Sequence, residues 1–503
     1  MPGATQTASP TPSSAAGSAG DAAPGNGQRP TPDDGQTAVV ELLRYSPVAD
    51  ELGERFADAG YRLYLVGGSV RDALLGRLSS DLDFTTDARP PEVRKIVAGW
   101  AEAVWDTGIE FGTLGLTRHG VTLEVTTFRA DTYDGVSRNP VVAFGDSVEG
   151  DLVRRDFTAN AMAVSLPDRT FVDPCGGLAA LARGVLDTPV EPERSFDDDP
   201  LRLLRAARFV SQLGFEVAPR VREAMAAMAG ELARITAERV QAELSKLLLG
   251  AHPRRGMELM VDSGLADVVL PEVPAMRLEI DEHAQHKDVY EHSLTVMEQA
   301  IDRETDGPDL TLRLAALLHD IGKPATRKVE PGNRVSFHHH EVVGAKMARK
   351  RLRELRYPKH LIDDVSQLVF LHLRFHGYGK GEWTDSAVRR YVTDAGPLLD
   401  RLHKLVRSDS TTRNRRRAAA LQRTYDDLEE RIGRITAEED LARVRPDLDG
   451  NAIMELLGIP PGPLVGRAWR HLKEVRLEQG PLDRDEAETE LLAWARAEGI
   501  LPG

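Results

Sequence analysis

Apolar positions change their period along this chain. Residues 61–66 alternate toward an apolar strand that ends in Leu65-Val66, and the pair Gly67-Gly68 interrupts the run. Residues 70–75 return to helical spacing, so the stretch reads as strand, turn and helix. Upstream, Val39, Val40, Leu42, Leu43, Leu52 and Phe56 have the spacing of helices leading into that strand. Pro90-Pro91-Glu92 has the form of a helix start and 103–106 of a short strand. Residues 113–117 and 122–128 predict a hairpin turning at Arg118-His119-Gly120. Beyond Gly176-Gly177 the strand signal all but ends. Residues 201–213, 219–230 and 237–249 read as amphipathic helices, 312–318 as an apolar helix, and the remainder from about 420 as charged and helical. There is no repeat of solenoid period. The pattern predicts an α+β chain, a small α/β domain followed by a helical body.

Length and composition narrow this picture. A chain of 503 residues exceeds what one core normally serves, so several domains of roughly 100 to 200 residues are expected. Residues 1–36 are rich in Ala, Pro, Gly, Ser and Thr, lack a basic segment followed by an apolar one, and read as a disordered tail, not a signal peptide. The single cysteine, Cys175, forbids an internal disulfide, and no apolar run reaches the roughly 20 residues that span a bilayer, which points to the cytoplasm. A net charge of -15 argues against a general nucleic-acid coat; RNA would be met by local patches.

Candidate chemistry begins at Gly67-Gly68-Ser69-Val70-Arg71-Asp72. The glycines let the backbone approach a phosphate, the following helix turns its N-terminus toward it, and Arg71 is a bidentate phosphate donor. Asp81 and Asp83 are two apart in a strand, so both carboxylates leave the same face and can share hard cations. Glu124, in the second hairpin strand, reads as either a solvated carboxylate or the third ligand of that site, and the two-carboxylate site favours the ligand. Arg154-Arg155-Asp156-Phe157-Thr158-Ala159-Asn160 combines cations, an anion and an amide suited to a triphosphate and ribose hydroxyls, or to a capping salt bridge. Asp173-Pro174-Cys175-Gly176-Gly177 reads as a hinge or a linker. Asp198-Asp199 opens a helix in which Asp199, Arg202 and Arg205 recur at about one turn.

The order Gly-Gly-Ser-Val-Arg-Asp, Asp-Leu-Asp, Arg-Arg-Asp-Phe-Thr-x-Asn-Ala, Asp-Pro-x-Gly-Gly and Asp-Asp-x-x-Arg resembles bacterial class II CCA-adding tRNA nucleotidyltransferases, over roughly residues 50–270. Bacterial poly(A) polymerases share nearly all of these motifs. The resemblance implies a small polymerase-β-like nucleotidyltransferase head on a mixed sheet. It also implies Mg²⁺ held by the catalytic residues Asp81 and Asp83 with Glu124, and the triphosphate on Gly68 and Arg71, with Ser69 among the nucleotide-binding residues. Arg155 and Asp156 fall on the ribose side, with Asn160 also nucleotide-binding, and Asp199 and Arg202 on the base, assisted by Arg205. Asp198 stands where the family usually has Glu, and Ala180 where it often has Asp, which puts hinge behaviour in question.

Eleven of the fourteen histidines lie between His283 and His403, a clustering that suggests a second metal centre. His292, His319-Asp320, His340, His372, His376 and Asp409 resemble an HD domain of the metal-dependent phosphohydrolases, which implies a divalent transition metal able to activate water. Basic runs at 346–359 and 401–417 suit either a solvated helix face or phosphate contact. The expected layout is a tail at 1–36, a head at 37–177, a helical neck with nucleotide-selecting and RNA-binding elements at 178–270, an HD domain at 271–420 and a helical region at 421–503. The expected function is transfer of CMP and AMP from CTP and ATP to a tRNA 3′ end. Poly(A) addition is the close alternative, and an HD phosphohydrolase with an RNA-binding head the distant one. tRNA, ATP and CTP are the expected partners; no membrane and no stable protein partner are indicated.

Overall fold

The computed structural model describes residues 47–77, 81–106, 108–130, 143–278, 288–331, 334–375, 378, 383–411, 414–439 and 446–501. The tail at 1–36, Val39, Val40, Leu42, Leu43 and His376 lie outside them. The chain divides into two compact units, Met1–Val153 with Ala159–Arg183, and Arg154–Thr158 with Gly184–Gly503.

The first unit is built on a seven-stranded mixed sheet. Its strands are β1 Leu63–Val66, β2 Asp81–Thr86, β3 Ala103–Trp105, β4 Thr113–Arg118, β5 Val121–Thr127, β8 Ala163–Leu166 and β9 Phe171–Val172, while β6 Arg129–Ala130 and β7 Ala143–Phe144 pair apart from it. The spatial order is β3-β4-β5-β2-β1-β8-β9, with β2 and β5 parallel and the other neighbours antiparallel. Alternation decides the faces. Leu82 and Phe84 of β2, Leu114 and Leu116 of β4, and Leu123 and Val125 of β5 are all buried on one side. Helices Pro47–Asp58 and Pro90–Val97 bring their own buried residues, Leu52, Phe56, Val93 and Val97, to the unit's core. At Gly53 a Cβ would come within 2.6 Å of Leu166 Cβ, so the first helix meets β8 at a distance only glycine allows.

The first unit extends through Arg183, beyond the expected boundary at 177, because the Gly176-Gly177 segment is tied down. Asp173 accepts hydrogen bonds from the backbone of Gly177 at 2.7 Å and Leu178 at 3.0 Å, capping helix Gly177–Arg183. Among the described residues the expected breaks at 270 and 420 do not divide the second unit. One apolar core runs from Phe157 through Leu201, Met257 and Leu317 to Ile435, and a separate small cluster around Ile453, Leu472 and Leu491 closes the C-terminal helices. Two short pairings, Val185–Leu186 with Glu216–Val217 and Lys328–Glu330 with Arg334–Ser336, are strands where helical texture alone was expected. Arg313 is buried and donates to Glu304 and to the carbonyls of Leu248 and Gly250 at 2.6 and 2.8 Å, satisfying the end of helix Ala237–Leu248.

Candidate active sites

On the face of the first sheet opposite its apolar core, Asp83 stands directly beside Glu124, and Asp81 beside Thr122, in the β2–β5 register. Asp81 and Glu124 are exposed and Asp83 half-buried, so the register puts three carboxylates on one solvent-facing side of the sheet. Ser69 sets this strand in place. Its hydroxyl donates to Asp81 O at 3.2 Å and accepts from Asp83 N at 3.1 Å, bridging helix Gly68–Leu74 to β2. Its oxygen thus serves the strand, a role the motif alone did not suggest. Gly67 turns the chain with φ 71°, and Gly68 follows as the first helical residue. Arg71 is buried and bonds Asp72 twice, at 2.9 and 2.8 Å, and Asn160 Oδ1 at 2.6 Å, which fixes its guanidinium beside the turn.

The second cluster lies within the second unit. Asp156 is buried, accepts from Phe157 N at 2.8 Å, and receives Arg205 Nε at 2.7 Å. Glu243 pairs with Arg208 at 2.8 Å and lies 3.9 Å from Arg205. Burial opposes the charge on Arg205, but Asp156 and then Glu243 outweigh it and hold its pKa above the ordinary value. Asp199 is not part of the helix that carries Arg202 and Arg205, which spans Leu201–Leu213; it closes helix Pro192–Asp198 in extended backbone. Its Oδ1 accepts from Leu201 N at 3.2 Å, and Arg239 reaches Oδ2 at 3.0 Å. Arg202 donates to Ser195 Oγ at 2.8 Å and Arg154 O at 2.6 Å. Arg155 belongs to the same unit and is half-buried. Arg239, Glu243 and Ser195 were missed in the sequence. Glu243 had a signal, an acid on the face carrying Val240, Leu244 and Leu247 of an amphipathic helix.

The third cluster gathers side chains from five segments of the same unit. Ligand atoms of His292, His319 and Asp409 lie within 4.8 Å of one another, as do those of Asp320, His340 and His372. His319, His340 and His372 each donate Nδ1–H to a backbone carbonyl three residues earlier, at 2.8, 2.8 and 2.6 Å. That turns Nε2 of each ring inward. His319 Nε2 and His340 Nε2 each lie 3.2 Å from an Asp320 oxygen, near enough for charge but without hydrogen-bond alignment, and both remain buried without a hydrogen bond, as does His372 Nε2. His292 Nε2 meets Asp409 at 2.8 Å. Burial opposes a charge on His319, yet Asp320 and then Asp409 push its pKa up to about 10; burial and His319 push His372 down to about 3. The inward-facing imidazoles and the carboxylates form a donor set suited to a divalent metal ion. Lys323, four residues beyond His319, adds an ammonium 2.8 Å from Asp320 that the histidine count did not reveal. The basic runs are mostly paired: Arg349 with Asp363, Arg351 with Glu272, Arg401 with Asp309 and Arg407 with Asp426.

An open carboxylate face on a mixed sheet, joined in one chain to helical elements and an HD-type centre, defines a metal-dependent nucleotidyltransferase. Residues 63–187 match the Poly A polymerase head domain, 214–276 the probable RNA and SrmB-binding site of polymerase A, and 289–414 the HD domain. The A-adding tRNA nucleotidyltransferase of Deinococcus radiodurans is 34% identical over 438 residues, 86% of this chain and 95% of that protein. The CCA-adding enzyme of Levilactobacillus brevis is 42% identical over 208 residues, 41% of this chain and 51% of the relative. A crystal structure of the Bacillus stearothermophilus CCA-adding enzyme in complex with CTP matches with a TM-score of 0.64 at 27% identity, over 90% of this chain and 99% of that one. The chain belongs to the bacterial family of CCA-adding tRNA nucleotidyltransferases and poly(A) polymerases that carry an HD domain. Among the described residues no helix is long and apolar enough to cross a membrane.

Proposed function

We propose that the protein builds the CCA end of tRNA, transferring CMP and AMP from CTP and ATP to the RNA 3′-hydroxyl. The observation that carries this reading is the Asp81, Asp83 and Glu124 face beside the Gly67-Gly68 turn, in a chain similar along nearly its whole length to a tRNA nucleotidyltransferase. In the reaction the 3′-hydroxyl gives up its proton to solvent, its oxygen forms a bond to the α-phosphorus, the bond to the β-phosphate oxygen breaks, and pyrophosphate leaves. Asp81 and Asp83, with Glu124, would hold Mg²⁺, which would supply charge neutralisation and a more acidic 3′-hydroxyl. Ser69 keeps the two aspartates in register, and Gly67-Gly68 leaves room for the triphosphate against the backbone. Asp156 and Arg205 support the sugar. Asp199 and Arg202 read the base edge, since cytosine and adenine each pair an amino donor with a ring-nitrogen acceptor, while uracil and guanine reverse that order.

A second reading is addition of the terminal A alone, favoured by the Deinococcus radiodurans relative, whose name specifies A addition and which is matched over 95% of its length. One experiment separates the two. tRNA ending at the discriminator base and tRNA ending in CC are incubated with each triphosphate, and extension is read on a gel. CC followed by one A supports the first reading; A on the CC substrate only supports the second; a long A tract supports poly(A) synthesis. For the HD centre we infer a metal-dependent phosphohydrolase activity, supported by its three inward Nε2 atoms and tested by phosphodiester hydrolysis in metal-loaded protein.

A further inference from the structure

One row of residues crosses the first sheet on its carboxylate face. Trp105 of β3 is opposite Gly115 of β4, Gly115 opposite Glu124 of β5, and Glu124 beside Asp83 of β2. Residues in register point to the same face, so an indole and two acids share a line. The ring does not stand clear of its neighbour: a Cβ at Gly115 would fall 2.1 Å from Trp105 Nε1, 2.2 Å from Cε2 and 2.6 Å from Cζ2. The indole therefore lies across β4, in the place a side chain would fill. Gly115 has no positive φ to explain it, and a mid-strand glycine costs sheet stability, so the close approach of the ring is what glycine permits here.

This Trp is not needed for the core. Leu114 and Leu116, on either side of Gly115, turn to the opposite face and are buried there, while Trp105 is half-buried on the face of the acids. Among the described residues its ring stacks on no other ring. Adjacent strands are about 4.8 Å apart, so a ring over β4 sits roughly 5 Å from the strand of Glu124 and 10 Å from that of Asp83.

The direction of the row matters. Gly67-Gly68 follows β1, on one side of β2, and Trp105 approaches from the other. In phosphoryl transfer the attacking and leaving oxygens are roughly in line through phosphorus. If pyrophosphate departs toward the glycine turn, the 3′-oxygen must arrive over β5 and β4, carrying its base toward β3.

We propose that Trp105, lying against Gly115, is the stacking platform for the 3′-terminal base of the acceptor RNA. This rests on the assignment of the carboxylate face as the transfer site. Stacking accepts any base, as a growing C, CC and CCA end requires, whereas the incoming base is read elsewhere by hydrogen bonds.

The test is a cycle that removes each partner. Trp105→Leu keeps an apolar cover without a π face, Trp105→Phe keeps the face, and the tRNA is prepared with and without its 3′-terminal base. KM is measured for tRNA and for ATP. With wild type, loss of the base should raise the KM for tRNA roughly 5- to 100-fold, the range of one base–aromatic stack. Trp105→Leu should raise it as much, with no further change on the abasic RNA and with the KM for ATP unmoved; Trp105→Phe should restore most of the loss. Additive effects of the two removals, a wild-type KM in Trp105→Leu, or an effect on ATP in place of RNA would each overturn the proposal. Should the leucine variant not fold, the phenylalanine variant reads the same coupling at smaller size. A wild type that extends no tRNA would instead overturn the transfer reading itself.

Discussion

The carboxylate face of the head and the histidine cluster of the HD region both carry groups that ligate cations, arranged by opposite means. In the head, the strand register brings acids together at the surface, Asp81 and Glu124 exposed. In the HD region, His319, Asp320, His340 and His372 are all buried, and backbone carbonyls orient the imidazoles. An exposed carboxylate keeps much of its hydration and gains little from an ion that brings no ligands of its own. A buried carboxylate has lost its water and must be compensated. The first arrangement suits an ion that arrives and leaves with a triphosphate, the second an ion that stays.

The sharpest way to break this comparison is Asp81→Ala. It should reduce nucleotide addition by about three orders of magnitude, several kcal/mol of transition-state charge stabilisation, while the metal content of purified protein is unchanged. Near-normal extension of tRNA by that variant would remove the head from the comparison.

The converse change is His319→Ala with Asp320→Ala. Bound metal, measured by elemental analysis, and hydrolysis of a phosphodiester should both be lost, and nucleotide addition should stay within about twofold of wild type. Equal loss of both activities in a folded sample would make the HD region a structural part of the transferase. Chelation of the unaltered protein should lower its melting temperature by roughly 5 to 10 °C, because an ion bound well above its Kd and only by the folded state stabilises by about 3 to 4 kcal/mol.

Asp199→Ala addresses selection. Each mismatched base leaves buried polar groups unpaired at about 1 to 3 kcal/mol, so discrimination against UTP and GTP should fall by roughly 5- to 100-fold while CTP and ATP use weakens. Wild-type selectivity in single-nucleotide incorporation would move base reading elsewhere. Ser69→Ala should have the smallest effect, about 1 to 3 kcal/mol of stability from the two lost bonds to β2, read by denaturant unfolding with nucleotide KM alongside.

Local rules carried the reading a considerable distance. Period two put Asp81 and Asp83 on one face of a strand, helical spacing marked helix Leu201–Leu213, and the histidine clustering between His283 and His403 suggested a second metal centre. Each is visible because it depends on residues a few positions apart. The pairing of Asp83 with Glu124 joins parallel strands 41 positions apart, and nothing near either residue specifies it. The same is true of Arg239 on Asp199, of Glu243 beside Arg205, and of Trp105 over Gly115.

Segment 154–158 shows the limit most clearly. By position it continues the head, yet Phe157 is buried in the helical core and packs edge-on against Phe209 at 5.7 Å, and Asp156 is held by Arg205. Burying an aromatic ring contributes about 2 to 3 kcal/mol, so the partner that removes it from water decides where the segment belongs. The sequence by itself determined which residues could do chemistry and the secondary structure that carries them. Only the tertiary structure decided which of them meet, because strand register, burial and the choice of hydrogen-bond partner depend on groups brought together from distant parts of the chain.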